Sequence, residues 1–227
     1  METTEYTQTF YKPQVVIDIE TMPNMDVIDL LPEPSIDSRL KDPVKIEEAK
    51  KNGRESQIEK MALSPLTGKV ACIGFYGAVH EVRIDDEKAM LDYAHSIILS
   101  HQIITYNGKS FDIPFIFKRG IILGCEWATI PNMKKYTDKY KSGDRHIDLM
   151  TEFCDYGQWE KLDNLARFLL GSKKVDFDFR EIPELLKSDE GKAKLTEYCY
   201  QDCKLTWELA QKMGFEAKAL KERDDAN

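Results

Sequence analysis

Three short segments of the sequence carry acidic side chains at spacings that could perform chemistry. In the first, Asp18 and Glu20 stand at the end of Gln14–Ile19, a run of β-forming residues. Residues i and i+2 of a strand point to the same face, so these carboxylates would repel each other unless a cation lay between them. The end of a strand in an open α/β sheet is also where such folds bind ligands. The alternative is a solvated strand terminus, since acidic residues are abundant in this chain.

The second segment, Asn107–Asp112, directly follows the apolar run Gln102–Tyr106. Gly108 permits a tight exit from a strand, and the sequence predicts that Asp112 begins the next helix. A carboxylate at that position would lie beside the end of the strand. The alternative is that Asp112 or Ser110 only caps the helix.

The third segment lies in a predicted long helix over Lys192–Met213. Tyr198 and Asp202 are four residues apart, which places them on one face of the helix, one turn from each other. Apolar residues continue this face, so it is expected to point inward: Leu195, Leu205 and Leu209. A buried hydroxyl and a buried carboxylate need partners, which a cation and a bound water would supply. The alternative is a helix whose Asp202 meets a lysine at the surface.

The elements that position these residues are predicted from apolar periodicity and turn residues. Strands are expected over Gln14–Ile19, Lys69–Tyr76, Val79–Ile84 and Gln102–Tyr106, with His146–Met150 a short strand or a helix start. Helices are expected over Lys45–Leu63, Glu87–Leu99, Asp112–Arg119, Leu162–Leu170 and Lys192–Met213. This order predicts one α/β domain over residues 1–227, with helices packed on a mixed sheet.

The stretch from Thr21 to Gly68 contains five prolines and is too long for an ordinary connection. We expect an insertion or an extended loop with a helix, either a flap that faces a substrate or a solvated helix without such a role.

Composition excludes several classes of protein. The chain has 227 residues, of which 42% are apolar and 32% are charged, so low-complexity disorder is excluded. The sequence contains neither an apolar run that could span a membrane nor a secretory leader, and a cytoplasmic protein is expected. The net charge of −8 argues against a protein that coats nucleic acid by charge. It is compatible with an enzyme that reaches phosphates through bound metal ions.

The five cysteines are scattered and odd in number, which favours reduced thiols over disulfides. Cys199 and Cys203 could share a helix face, but without a CxxC pair or a nearby histidine the sequence does not favour a zinc site there.

Taken in order, the three segments resemble those of a known family. Asp-x-Glu, Asn-x-x-x-Phe-Asp and Tyr-x-x-x-Asp are similar to the motifs of DEDDy-type 3′–5′ exonucleases of the ribonuclease H-like superfamily, in particular the exonuclease domains of family B DNA polymerases. The resemblance extends over Val15–Thr21, Ala62–Phe75, Ile104–Ile116, His146–Met150, Lys161–Gly171 and Tyr198–Asp202. No polymerase domain follows, so a stand-alone form is expected.

The resemblance implies a ribonuclease H-like mixed β-sheet flanked by α-helices and a site for two Mg²⁺ or Mn²⁺ ions. Asp18 would bridge both ions, Glu20 and Asp202 would complete the ion on the nucleophile side, and Asp112 would hold the other. Tyr198 would orient the attacking water. Oxygen ligands suit these hard cations, and paired ions can stabilise both the attacking and the leaving oxygen.

The implied substrate is a single-stranded nucleic acid with a free 3′ end, with DNA preferred. Asn107 would lie near the backbone of the terminal nucleotide, and Phe111 or Met22 would stack on its base. The alternative for Phe111 and for Met22 is that the side chain packs in the core. An RNA-trimming 3′–5′ exoribonuclease and a catalytically silent nucleic-acid-binding module remain alternatives. The expected protein partner is a replication or repair protein, and no membrane association is expected. If the chain were encoded by a phage, it would act in the host cytoplasm.

One basic segment could offset the acidic balance. Asn132–Arg145 carries five lysines and arginines together with Tyr136 and Tyr140, which suits a strand of nucleic acid. Three further lysines could extend it: Lys161, Lys173 and Lys174. The alternative is a solvated loop, and for His146 we expect an ordinary structural role.

Overall fold

The computed structural model describes residues 12–138, 145–155 and 157–215. A mixed sheet in the order β3-β2-β1-β4-β5 forms its centre. Its strands are β1 (Gln14–Pro23), β2 (Gly68–Gly77), β3 (Glu81–Arg83), β4 (Gln102–Thr105) and β5 (His146–Asp148). β1 pairs antiparallel with β2 and parallel with β4, and β4 pairs parallel with β5. The predicted α/β class with a mixed sheet is therefore confirmed.

Helices cover both faces of this sheet. They are α1 (Pro43–Met61), α2 (Glu87–Ser100), α3 (Asp112–Ile122), α4 (Ile130–Thr137), α5 (Leu149–Phe153), α6 (Leu162–Leu170), α7 (Ile182–Leu185) and α8 (Asp189–Lys212). The predicted helix over 162–170 has those bounds, and Gly171 ends it in the left-handed conformation with φ 69°. In the part of the chain that the structure describes, no helix is long and apolar enough to cross a membrane.

The alternation of β1 separates two cores and decides where its carboxylates point. Val15, Ile17 and Ile19 pack against α2 and α3, in one core. Val16 lies on the opposite face, in a second core with residues of α6 and α8. Since side chains alternate along a strand, Asp18 and Glu20 share the face of Val16 and point toward α8. The core on each side thus fixes the direction of both acidic side chains.

The turn after β4 is braced by buried polar groups. Asn107 adopts a left-handed φ of 65°, which turns the chain out of the sheet toward α3. The Asp148 carboxylate, fully buried, accepts the backbone N–H groups of Asn107 at 2.8 Å and Lys109 at 2.9 Å. His146 bonds the Thr105 hydroxyl through Nε2 at 2.7 Å and the Tyr136 carbonyl through Nδ1 at 2.6 Å. His146 therefore has the structural role that was expected.

The long segment after β1 is partly strand and partly helix. β1 continues to Pro23, four residues past the predicted end, because it pairs with the equally long β2. The predicted helix is present as α1, which starts at the Asp42 N-cap followed by Pro43. Only Met61 of α1 is buried. The Thr21 hydroxyl donates to the Ala62 carbonyl at 2.8 Å, which ties the end of α1 to β1.

Some sequence interpretations differ from the structure. The predicted strand over 79–84 is only the three residues of β3, and His146–Met150 is both strand and helix start, as β5 leads into α5. In the basic segment, residues 130–137 form α4, and Tyr136 is buried against Phe117 with ring centroids 6.1 Å apart. Tyr136 is therefore not available to stack on nucleic acid. Residues 139–144, including Tyr140, lie outside the described residues.

Candidate active site

Three carboxylates from β1 and α8 meet beneath a cleft at the centre of the sheet. One oxygen each of Asp18, Glu20 and Asp202 lies within 4.8 Å of the other two. Glu20 and Asp202 are buried, with 5% and 2% of their surface exposed, whereas Asp18 is half-buried on the cleft floor. The residues are up to 184 positions apart in sequence, and the packing of α8 on β1 brings them together.

Asp112 reaches the same cleft from the opposite layer of helices. It is the first residue of α3, and its Oδ1 accepts the backbone N–H of Ile19 at 3.1 Å. Ile19 lies between Asp18 and Glu20, and β4 pairs with β1 only as far as Val16. The carboxylate thus binds β1 where no strand covers this edge. Phe111 is the N-cap, without a side-chain cap bond, so neither Ser110 nor Asp112 caps the helix.

Burial raises the pKa values of all four carboxyl groups, and repulsion by the other carboxylates adds to the rise for Asp18 and Glu20. Burial raises the pKa of Asp112 to about 7, although the N–H of Ile19 lowers it. Burial, the Asp112 charge and the Glu20 charge raise the pKa of Asp18 well above its ordinary value. Glu20 and Asp202 also have raised pKa values, chiefly through burial. The cluster is therefore costly to ionise on its own and would bind cations that offset its charge.

The Tyr198 side chain stands beside these carboxylates, one helical turn before Asp202. Its ring stacks on Phe177 with centroids 4.1 Å apart, and Phe179 packs edge-on at 6.0 Å. Its hydroxyl is buried beside the Asp202 carboxylate and forms no well-aligned hydrogen bond to any described residue. Burial and the neighbouring Glu20 raise its pKa, so the hydroxyl stays protonated. It can therefore donate a hydrogen bond to a ligand in the cleft.

Lys174 supplies positive charge to the cluster, a role that sequence analysis missed. Its Nζ lies 2.7 Å from Asp202 Oδ2 and 5.3 Å from the centre of the Tyr198 ring. Burial lowers the pKa of this lysine, but the charge of Asp202 raises it, with a net increase. Lys174 follows α6 in a loop without periodicity, so no local pattern beyond two adjacent lysines marks it. One ammonium against four carboxylates leaves net negative charge, and the oxygen donors fit hard divalent cations such as Mg²⁺ and Mn²⁺.

The expected substrate contacts occupy different environments. Asn107 and Phe111 line the cleft, which has a volume of about 420 Å³. Phe111 also packs against Phe115, with ring centroids 5.6 Å apart, so it contributes to the core as well. Met22 instead packs in the cluster of Cys72, Leu195 and other apolar residues beneath α7 and α8. The structure thus brings Asn107 and Phe111 to the four carboxylates and places Met22 among core residues.

The end of α1 forms part of the cleft wall, which sequence analysis left open. Glu59, Ala62 and Leu63 line the cleft, as do Tyr106 and Phe179. Leu63 and Phe179 are large apolar side chains with 67% and 49% of their surface exposed. The end of this segment therefore borders the cleft, and that it faces a substrate stays a prediction.

The raised pKa of Asp112 predicts a pH dependence of stability. A carboxyl group whose pKa is about 7 when folded and 3.8 ordinarily stabilises the fold at low pH, and this contribution is lost as pH rises through about 7. In chelator, Asp112→Asn should therefore unfold less readily than the parent at pH 8, by a difference on the order of 1–4 kcal/mol, with little difference at pH 4. Thermal and urea unfolding at both pH values measure this.

The asparagine keeps an acceptor for the Ile19 N–H, so the comparison isolates the charge. Asp176→Asn is the control, because the Asp176 side chain is 95% exposed. If the parent and Asp112→Asn lost the same stability between pH 4 and pH 8, the raised pKa assigned to Asp112 would be wrong.

The ion pair of Lys174 predicts a difference between two adjacent lysines. Lys174→Met leaves the buried Asp202 without its cation and should lower the free energy of unfolding in chelator at pH 7 by about 1–3 kcal/mol. Lys173→Met is the matched control, since this side chain is 64% exposed and its ion pair, with exposed Asp176, is long at 3.5 Å. Its effect should stay within about 0.5 kcal/mol. Equal effects in urea unfolding would exclude a special role for Lys174.

Comparison with known proteins identifies relatives among DNA polymerases. DNA polymerase 1 of Saccharolobus solfataricus is 33% identical over 141 residues, which are 56% of this chain and 15% of that polymerase. DNA polymerase 1 of Aeropyrum pernix is 33% identical over 143 residues, 57% of this chain and 14% of the polymerase. The DNA polymerase catalytic subunit of Epstein-Barr virus is 48% identical over 50 residues, 22% of this chain and 5% of the viral protein. The chain thus spans a small part of these relatives.

A solved structure and a family model give the fold and the family. The family B DNA polymerase of Pyrobaculum calidifontis matches 89% of this chain with 24% of its own, at a TM-score of 0.54 and 16% identity, which supports the ribonuclease H-like fold. Residues 70–226 match the model described as "Predicted 3'-5' exonuclease related to the exonuclease domain of PolB". This range contains Asp112, Tyr198 and Asp202, while Asp18 and Glu20 precede it. The chain belongs to this family of 3′–5′ exonucleases related to the exonuclease domain of PolB.

Proposed function

We propose that this chain, as one domain over residues 1–227, is a divalent-metal-dependent exonuclease that hydrolyses single-stranded DNA from its 3′ end. The observation that carries the proposal is the convergence of four carboxylates from three elements: Asp18, Glu20 and Asp112 line one cleft, and Asp202 lies against the first two, one helical turn from the buried hydroxyl of Tyr198. In each turnover water adds to the terminal phosphorus and the bond to the preceding 3′ oxygen breaks. A nucleoside 5′-monophosphate leaves, and a new 3′ hydroxyl remains on the strand.

Asp18, Glu20, Asp202 and Asp112 are the residues that would hold metal ions. Mg²⁺ or Mn²⁺ held by these residues would supply acidification of a water molecule and positive charge for the phosphate oxygens. The protein favours this binding electrostatically. Its carboxylates are held close together and repel one another, so a cation between them lowers the energy of the site. Lys174 offsets part of that charge and holds Asp202 in place at 2.7 Å.

Tyr198 is proposed to orient the attacking water. Its pKa is raised by burial and by Glu20, so it is a poor base, and the neutral hydroxyl acts as a hydrogen-bonding group. Stacking on Phe177 and contact with Phe179 fix the ring and therefore the position of the hydroxyl oxygen. A fixed, neutral hydroxyl that forms no well-aligned hydrogen bond to a described residue is suited to hold a water in one orientation.

The cleft walls suit a single strand with an unpaired terminal base. Phe111, Leu63 and Phe179 offer apolar surface against which a base can stack, irrespective of its identity. Asn107, which lines the cleft at the turn after β4, would contact the sugar–phosphate backbone. DNA is preferred because the relatives are DNA polymerases by name. All five proposed catalytic residues are present, which favours an active enzyme over a silent binding module.

End-labelled oligonucleotides test the substrate and the direction of hydrolysis. With Mg²⁺ or Mn²⁺, single-stranded DNA labelled at its 5′ end should shorten one nucleotide at a time, and a 3′-terminal label should be released at once as a mononucleotide. Chelator should stop the reaction. Asp18→Asn should abolish it while the chain stays folded, and Asp29→Asn, at an exposed position, should leave the rate unchanged.

Other outcomes distinguish the alternatives. Faster hydrolysis of RNA than of DNA of the same sequence would make the chain an exoribonuclease. Retention of the strand without cleavage, with either metal, would make it a binding module. Release of a 5′-terminal label first would contradict the proposed direction.

The role of the Tyr198 hydroxyl is tested by removing one oxygen atom. Tyr198→Phe keeps the ring stacked on Phe177 and should lower the single-turnover cleavage rate by about 10²–10⁴-fold, while strand binding and the melting temperature change little. Tyr200→Phe, on the same helix, is the matched control. A normal cleavage rate in Tyr198→Phe, with or without lower thermal stability, would make Tyr198 a packing residue only.

A further inference from the structure

Three buried cysteines lie directly behind Asp18, on the side away from the cleft. Cys72 belongs to β2, and Cys199 and Cys203 belong to α8; none has any exposed surface. The sulfurs of Cys199 and Cys203 and one oxygen of Asp18 lie within 4.8 Å of one another. Cys72 is close enough to Cys199 for each thiol to alter the pKa of the other. The other described cysteines, Cys125 and Cys154, are not part of this cluster.

A glycine makes room for these sulfurs beside the sheet. Gly74 of β2 is the strand partner of Asp18 and has no side chain. A Cβ atom built at this position would lie 2.6 Å from the sulfur of Cys203 and 2.7 Å from that of Cys199, closer than real atoms approach. The missing side chain therefore lets α8 bring both thiols against the sheet, next to the carboxylate of Asp18.

We propose that Cys199, Cys203 and Asp18, with Cys72 beside them, form a binding site for a thiophilic divalent cation such as Zn²⁺ or Cd²⁺. Such ions are bound by thiolates and carboxylates in a tetrahedral arrangement, with donor atoms as close together as these. The sequence alone did not favour a site because two cysteines four residues apart supply too few ligands. The fold adds a third thiol from β2 and a carboxylate from β1.

Binding at this site releases protons. Each thiol that becomes a ligand exchanges its S–H bond for an S–metal bond, and the proton passes to solvent; no electrons are transferred. Asp18 lines the cleft and is half-buried, so it is the member of this site that is accessible from the cleft.

The site shares one ligand with the proposed active site, and this has a consequence for activity. A soft cation that takes the Asp18 carboxylate withdraws it from the oxygen cluster with Glu20 and Asp202. Zn²⁺ or Cd²⁺ should therefore inhibit hydrolysis at fixed Mg²⁺. This inhibition rests on the proposed function, whereas cation binding by the thiols does not.

Cd²⁺ titration of the full, reduced and metal-free chain tests the site directly. Cadmium–thiolate bonds give an ultraviolet charge-transfer band, which should rise and saturate at one ion per chain. The band should be lost in the Cys199→Ser/Cys203→Ser variant. It should persist in the matched control Cys125→Ser/Cys154→Ser, which removes two thiols elsewhere. A band that is absent from the parent, or that persists without Cys199 and Cys203, would overturn the proposal.

Asp18→Asn provides a second test that leaves every thiol in place. Loss of this ligand should weaken Cd²⁺ binding by about tenfold or more while the charge-transfer band remains, since even indirect partners of metal ligands are worth 10–100-fold. Unchanged affinity would remove Asp18 from the site. Circular dichroism and thermal melting establish whether each variant is folded. If the Cys199→Ser/Cys203→Ser variant is unfolded, the Cd²⁺ affinity of Asp18→Asn tests the proposal in its place.

The activity assay separates this proposal from the proposed function. In the parent, Zn²⁺ should inhibit Mg²⁺-dependent hydrolysis, and the cysteine variant should need at least about tenfold more Zn²⁺ for equal inhibition. Equal sensitivity of parent and variant would contradict the shared ligand. A chain that binds Cd²⁺ through its thiols but hydrolyses no strand would contradict the proposed function alone.

Discussion

Repulsion among buried carboxylates is the constraint on which the rest of this structure depends. Asp18, Glu20, Asp112 and Asp202 are held close together in a place that water reaches poorly, and this burial raises the pKa of each carboxyl group. The protein offsets only part of the cost of burying these charges, through the ammonium group of Lys174 and the N–H of Ile19. Such a cluster favours the binding of cations, which would remove the repulsion.

The unequal lengths of the strands make this assembly possible. β1 is ten residues long, but β4 pairs only with its first three residues, so the second half of β1 has a free edge. The chain leaves β4 at Asn107, and the carboxylate of Asp148 holds that turn through two backbone N–H groups. This brace determines where α3 begins, and hence where Asp112 meets β1. Buried polar groups outside the cleft therefore control the geometry within it.

The sequence predicted the parts of this site that follow from local periodicity. Asp18 and Glu20 share a face because strand side chains alternate, and Tyr198 and Asp202 share a face because they are one helical turn apart. Lys174 could not be predicted, because a loop places it against Asp202. Tyr136 was misinterpreted because its neighbours are basic, although it fills the core beside Phe117. The position of the end of α1 at the wall of the cleft could not be predicted either. It depends on the path of the long connection between β1 and β2, which no local pattern specifies.

Asp18 marks the boundary between two sets of donor atoms of different chemical character. On the cleft side are the oxygens of Glu20 and Asp202, which prefer hard cations, and behind it are the sulfurs of Cys199 and Cys203, which prefer soft ones. Both sets exist because α8 crosses β1 and β2 closely at Gly74, which presents Tyr198 and Asp202 to one side and the thiols to the other. The close packing that completes the oxygen cluster thus also brings sulfur to it. Any cation at Asp18 is selected by the competition between these two donor sets.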